Sequence, residues 1–367
     1  MIMNPISFVM ACFSVLGALD LIIGNKFGLG KEFERGLMLL GVMALSMVGM
    51  IVLAPSIARL IAPLLTGVSK IIPFFEPSSV VGLLIANDMG GATLAQELAK
   101  TPEAGYFNGL IVGSMMGATI SFTIPFAMGI VAKEQHDLLT LGLMCGIVTI
   151  PLGCFVSGLM CGLPFVDLLA SLIPLLLFAV LLAVGLLKIP QVCVKIFKGF
   201  GVGIKAVIIV GLVAGIFELL TGIKLIPYTA PIEEGASVIF NAAAVLTGAF
   251  PLVRLLSKLL DKPMKKLGGK LGINAVSAIG FLSTLASNSI AFGTMKDMDD
   301  KGVVLNAAFA VSAAFTFASH LGFTLSVNAD YVACMIVGKL VAGVTALFVA
   351  QFLYNRIRKK EKVCKDL

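Results

Sequence analysis

Long stretches of this sequence run for twenty residues or more without a charge, among them Gly36 to Ala58, Ala104 to Ala132, Leu138 to Val166, Leu168 to Leu187 and Gly302 to Ala329. A helix needs roughly 20 apolar residues to cross a hydrocarbon core of ~30 Å, so such runs fold inside a bilayer. The whole chain agrees. Only 13% of its 367 residues are charged and 59% are hydrophobic, with a mean hydropathy of +1.05, against roughly 25% charged in soluble domains. The N-terminus, MIMNPISFVM, has no basic flank and reads as a first helix that is retained, not a cleaved signal. A net charge of +7 does not indicate nucleic acid, because the basic residues sit between apolar segments and in the tail RIRKKEKVCK. The seven cysteines form no C-x-x-C pair and read as small hydrophobes.

Eleven apolar segments can be counted, centred near Leu16, Leu45, Ala86, Met116, Ile147, Leu176, Val210, Ala243, Leu285, Val311 and Val344. The third, over 77–97, is interrupted by Asn87-Asp88-Met89-Gly90-Gly91, and the ninth, over 271–295, by Ser287-Asn288-Ser289. Charge distribution distinguishes crossing from turning back. If all eleven cross, the Lys and Arg residues outside the spans divide 13 to 13 between the two faces. If the third and ninth are re-entrant hairpins, only Arg59, Lys70, Lys100 and Lys224 remain on one face and the division is 22 to 4, with Lys339 left inside the membrane. Real topologies carry such a bias towards the cytoplasm. The expected arrangement is therefore nine crossings and two hairpins, the N-terminus outside and the C-terminus cytoplasmic.

A repeat at a spacing of 198 points the same way. It pairs Asp20 with Glu218, Gly24 with Gly222, Asn108 with Asn306, Ser114 with Ser312 and Ser121 with Ser319, while Asn87 pairs with Asn288 at 201. The expected domains are a first repeat over 1–163, a connecting span and loop over 164–200, a second, inverted repeat over 201–355 and a basic tail over 356–367. Inverted repeats with discontinuous helices are the plan of many secondary transporters, whose sites lie near mid-membrane.

Non-helical backbone at membrane depth needs protein or a water-filled cavity to satisfy its polar groups. The interrupted segments therefore direct attention to Asn87, Asp88, Gly90 and Gly91 at one tip and Asn288 and Ser289 at the other. Asp88 can face a cation, or can cap the second arm of its own segment; Asn288 can serve a site or merely kink a helix. Ser319 and His320 in FASHLGF, with Thr119 and Ser121 at the related place in the first repeat, are the remaining binding candidates. Asp20 and Glu218 are candidates for ion coupling, with a solvated interfacial position as the alternative. Lys339 can pair with Asp330 or snorkel to the interface. No H-x-x-x-H, EF-hand or phosphate-loop motif is present, so no metal, cofactor or enzymatic activity is expected.

The chain resembles the EutH family of ethanolamine permeases in GALDLIIG, EFERGLMLLGVMALSMVGMIVLAP, LLIANDMGGATLAQELA, YFNGLIVGSMMGATISFTIP, LGLMCGIVTIPLGC, TLASNSIAFGTMKDMDDKGVVLNAAFAVSAAF, SHLGF and MIVGKLVAGVTA. The resemblance implies a multi-pass permease of the bacterial cell membrane that takes up ethanolamine, with Asp88 meeting its ammonium. Its partners would be ethanolamine, the lipid bilayer and, by analogy with carriers that anchor a scaffold, a second copy in a homodimer. Two other functions stand beside this one: a passive channel for small polar solutes, and a membrane component of a phosphotransferase system.

Overall fold

The computed structural model describes residues 5–72 and 75–365; residues 1–4 and the end of the basic tail expected over 356–367 lie outside them. The described chain is helical throughout. We number its helices α1 (Pro5–Ile22), α2 (Gly30–Ile71), α3 (Pro77–Leu84), α4 (Gly91–Leu98), α5 (Pro102–Ile130), α6 (Lys133–Met160), α7 (Phe165–Lys188) and α8 (Pro190–Thr221). They continue with α9 (Ile232–Leu271), α10 (Ala275–Ala286), α11 (Asn288–Gly293), α12 (Asp300–Ala313), α13 (Ser319–Val327) and α14 (Tyr331–Lys365). Eight of these are long and apolar enough to span a bilayer: α1, α2, α5 to α9 and α14. The protein is a multi-pass membrane protein.

Several helices outrun the membrane. The 40 residues of α9 extend about 60 Å at 1.5 Å per residue, twice the hydrocarbon thickness. Its apolar first half packs inside the protein, and its second half carries Arg254, Lys258, Lys262, Lys265, Lys266 and Lys270 as continuous helix. The basic stretch that reads as a loop in sequence is thus a helical extension. Gly272 (φ +66) ends it in the left-handed conformation, and Asn274 starts α10 by accepting the Ser277 N–H. Helices pack closely where both partners are small, as membrane interfaces favour. A side chain on Gly49 would overlap the Ile208 carbonyl, and one on Gly211 would overlap the Gly49 carbonyl, so α2 and α8 touch backbone to backbone.

In each of the two interrupted segments hydrogen bonds join the beginning to the end. Glu76 caps α3, and one of its carboxylate oxygens also accepts the Lys100 N–H at 3.2 Å, joining the beginning of the segment to its end. In the second segment Asn274 N–H donates to Asp299 at 2.9 Å, and the Asn274 amide donates to the Asp297 carbonyl at 2.9 Å. The capping residues keep the spacing of 198: Glu76 and Asn274 begin the first arms, while Thr101 and Asp299 begin the helices that follow. Gly24 and Gly222, at the same spacing, both hold positive φ after α1 and α8.

One expected span is not continuous. The run Gly302 to Ala329 is broken between α12 and α13, with Phe315 at φ +58. The break is held by a pairing the sequence does not reveal: Phe315 N–H donates to the Thr284 carbonyl at 3.2 Å and Phe317 N–H to the Leu285 carbonyl at 3.0 Å. The carbonyls at the end of α10 supply partners that an unbroken helix would supply itself. His320, which falls inside the uncharged run Gly302 to Ala329, therefore sits in the first turn of α13. The related helix α5 stays continuous but is wound widely, with i to i+5 bonding over 107–117 and again over 119–123.

Candidate functional site

Between α3 and α4 the backbone leaves the helix at Ile85 and Ala86, makes a single tight turn over Asn87–Met89 and re-enters at Gly91 through Gly90 at φ +84. Only glycine takes that angle at little cost. Gly90 also lies against Met50, where any Cβ would overlap the methionine side chain. The Ala86 N–H, freed by the break, is accepted by the Ser121 hydroxyl at 3.2 Å. A row of glycines on α5 makes room for this segment, since a side chain on Gly117 would overlap the Ile85 carbonyl.

The turn places Asp88 in a cavity of about 360 Å3. The cavity is walled by Met43, Met47, Met89, Phe122, Phe250 and Phe315, and its polar groups besides the carboxylate are Arg35, Ser46, Ser287, Ser289, Ser319 and His320. Asp88 is the one carboxylate among the described lining residues. It does not cap α4, whose N-terminus carries no side-chain cap. Instead it shares the cavity with Ser319, and His320 Nε2 lies 3.7 Å from its Oδ1. The rings of Phe122 and Phe315 meet edge to face with centroids 5.7 Å apart, and Phe315 lies 5.3 Å from the His320 ring. Asp88 and the Ser289, Ser319 and His320 expected from sequence thus share one cavity.

The other binding candidates stand behind it. Asn87 is fully buried, its amide without a hydrogen-bond partner among the described residues. Asn288 is buried at the start of α11 and donates to Thr123 Oγ1 at 3.0 Å, tying the second tip to α5. Thr119 Oγ1 bridges α5 to α12 through the Met115 and Val311 carbonyls at 2.7 and 3.1 Å. Gly90 and Gly91 shape the turn. Asp20 and Glu218 do not line the cavity. Asp20 accepts the N–H groups of Phe27, Leu29 and Gly30 and so fixes the turn into α2, while Glu218 pairs with Lys224 at 3.3 Å and accepts the Thr229 hydroxyl.

Lys339 corrects the sequence reading. It neither pairs with Asp330 nor reaches an interface. It is fully buried, its Nζ donating to the Ser114 carbonyl at 2.6 Å and standing 3.1 Å from His320 Nδ1. The wide winding of α5 around residue 114 turns that carbonyl towards α14. A lone cation within MIVGKLVAG was the available signal, because an ionisable group inside a span needs a nearby partner; the partner lay too far along the chain to be read. Sequence reasoning also missed Ser287 and the aromatic wall. Ser287 caps α11 by accepting the Ser289 N–H at 3.3 Å.

A second space of about 270 Å3, lined by Glu32, Arg35, Arg254, Ser257, Asp261 and Ile290, adjoins the cavity and shares Arg35, Phe250 and Ala286 with it. Arg35 stands at the junction, 3.3 Å from Glu32 and 4.9 Å from the centre of the Phe250 ring. The site thus opens towards the face that bears the basic half of α9.

Comparison with known proteins yields one family. Residues 2–353 match the model for "Ethanolamine utilisation protein, EutH". A "Probable ethanolamine permease EutH" of Listeria monocytogenes is 48% identical over 357 residues, covering 97% of this chain and 95% of that protein. One of the same description from Salmonella typhimurium is 40% identical, covering 95% and 94%. An uncharacterized protein, YxeR, of Bacillus subtilis is 39% identical over the same shares. No solved structure matches.

Proposed function

The chain belongs to the EutH family of ethanolamine utilisation proteins, and from that premise we propose that it carries protonated ethanolamine into the cell by alternating access. One observation carries the reading furthest: a single carboxylate, Asp88, stands at a break between two half-helices and faces a cavity walled mainly by apolar, aromatic, thioether and hydroxyl groups, with His320 beside it and Arg35 at its edge. Ethanolamine is a primary alkylamine, ionised near neutrality as a Lys side chain with pKa ~10.4 is. Its ammonium meets Asp88 and the ring faces of Phe122 and Phe315, and its hydroxyl reaches Ser287, Ser289 or Ser319. Asn87, Asn288, Thr119, Ser121, Gly90 and Gly91 act behind the lining by holding the two tips in place.

The architecture that serves this is an inverted repeat of nine crossings, with 77–97 and 271–295 as re-entrant hairpins. Its support is the matched spacing of caps and positive-φ glycines and the hydrogen bonds that join the ends of each broken segment. Repeats over 1–163 and 201–355 then flank the linking helix α7, with the N-terminus outside and the C-terminus in the cytoplasm. In that orientation the passage past Arg35 and Arg254 leads to the cytoplasm. A cavity of about 360 Å3 far exceeds what a ligand of four heavy atoms fills, as suits a conformation that releases its cargo inward.

A ligand this small cannot bind tightly. At a ceiling of about 1.5 kcal/mol per heavy atom, four atoms give at most roughly 6 kcal/mol, a dissociation constant of tens of micromolar. Counterflow in proteoliposomes tests the carrier reading. Vesicles preloaded with millimolar ethanolamine are expected to take up external labelled ethanolamine transiently above equilibrium, with saturable initial rates. Uptake that rises linearly without saturating, and no overshoot, would instead mark a channel.

A further inference from the structure

Asp88, His320 and Lys339 form one buried chain. Lys339 Nζ lies 3.1 Å from His320 Nδ1, and His320 Nε2 lies 3.7 Å from Asp88 Oδ1, with Lys339 and His320 almost wholly shielded from solvent. An ammonium has no lone pair, so the Nδ1 facing it must accept, and the imidazole proton must sit on Nε2, towards Asp88 and the cavity. The resting chain of groups therefore holds one carboxylate and one ammonium bridged by a neutral ring, while the cavity's other cation, Arg35, is paired with Glu32 at 3.3 Å. The other ionisable side chain facing Lys339 is the Cys154 thiol on α6, while α5 contributes only the Ser114 carbonyl.

We propose that Lys339, joined to Asp88 through the His320 ring, is the resident cation that ethanolamine replaces, so that each ethanolammonium bound is exchanged for one proton; this rests on the ethanolamine reading above. A second cation brought to Asp88 meets two obstacles: the like charge of Lys339 and the Nε2–H donor pointing at the place an ammonium must occupy. One proton movement removes both. Lys339 passes a proton from Nζ to His320 Nδ1, and His320 passes its Nε2 proton to cavity water. Lys339 becomes a neutral amine, the ring remains neutral in its other tautomer, and Nε2 now presents a lone pair beside the carboxylate. The incoming ammonium then finds two acceptors, Asp88 and Nε2, where before it found one acceptor and one donor. The net charge of the site is unchanged, since either Lys339 or the substrate neutralises Asp88. Release of cargo on the far side reverses each step, and Lys339 regains a proton there.

Cation inward and proton outward make transport electroneutral. Titration of the purified chain with ethanolamine hydrochloride at pH 7, in phosphate and in Tris, reads protons released from the difference in heat. About one proton per ethanolamine is expected in the wild type, and none in Lys339→Met. Binding by the wild type without proton release overturns the exchange. A count near one that persists in folded Lys339→Met overturns the assignment to Lys339. Absence of any ethanolamine binding overturns the functional reading itself, and the exchange with it. The second measurement needs no variant: wild-type initial uptake into proteoliposomes is expected to stay within about twofold when an inside-negative potential of about 100 mV is imposed. Transfer of an unbalanced charge across that potential is worth about 2.3 kcal/mol, so a response approaching fiftyfold would contradict exchange.

Discussion

Asp88→Asn is expected to abolish saturable ethanolamine uptake while the protein still inserts and elutes as a folded species. A hydrogen bond to a charged group contributes about 1.5–3 kcal/mol, up to about half of the roughly 6 kcal/mol available to four heavy atoms. The dissociation constant should rise about 100-fold, into the millimolar range. The substitution also strands the Lys339 ammonium, because the only cavity carboxylate among the described residues is gone and Lys339 is fully buried. Breaking a buried ion pair from one side costs about 3–5 kcal/mol, whereas removing both charges is often neutral. Asp88→Asn with Lys339→Met should therefore melt at a higher temperature than Asp88→Asn alone, yet remain inactive. A double variant no more stable than the single one would show that the two charges do not neutralise each other. Uptake by well-folded Asp88→Asn at the wild-type rate would remove Asp88 from the site.

Gly90→Val is expected to have the next largest effect. Gly90 combines φ +84 with contact against Met50, so a β-branched residue adds backbone strain of about 1–3 kcal/mol to a direct overlap. The turn that aims Asp88 must shift, and a displacement of about 1 Å suffices to spoil a site of this kind. Loss of uptake together with a fall in melting temperature of several degrees is expected. Gly129→Ala is the control, because nothing lies within 4 Å of a side chain there. It should leave uptake unchanged, and a similar loss in that variant would mean that the assay reports general fragility and not the tip.

Membrane class, the long spans and the interruptions at 87–91 and 287–289 were legible because each is local: uncharged length and polar residues inside an apolar run are visible without a partner. The cavity's acid, two of its serines and its histidine followed from the same reading. What stayed hidden depends on contacts between distant parts of the chain. The break at 314–318 exists because Thr284 and Leu285 carbonyls take the Phe315 and Phe317 N–H groups; no composition signal separates it from a straight apolar helix. Lys339 was visible as an anomaly, but its bond to Ser114 needed the wide winding of α5. Asp20 and Glu218 stood out as acids near span ends, candidates for coupling or for a solvated interface, and only their acceptance of nearby N–H, hydroxyl and ammonium groups shows that they fix the ends of α1 and α8. The helical extension of α9 was hidden by the same charges that mark orientation, since a run of lysines fits a solvated helix as well as a loop.

The central claim is that two broken segments turn back within the membrane and present their tips to one ethanolamine site. Substituted-cysteine labelling tests it most directly, in a chain whose seven native cysteines have been replaced. Met89→Cys and Ser287→Cys both line the cavity in the structure, and both are expected to react with a membrane-impermeant maleimide added from the cytoplasmic side, more slowly when millimolar ethanolamine is present. Reactivity indifferent to ethanolamine at both positions, or positions along 77–97 that become accessible from opposite faces in succession, as in a helix passing straight through, would contradict it.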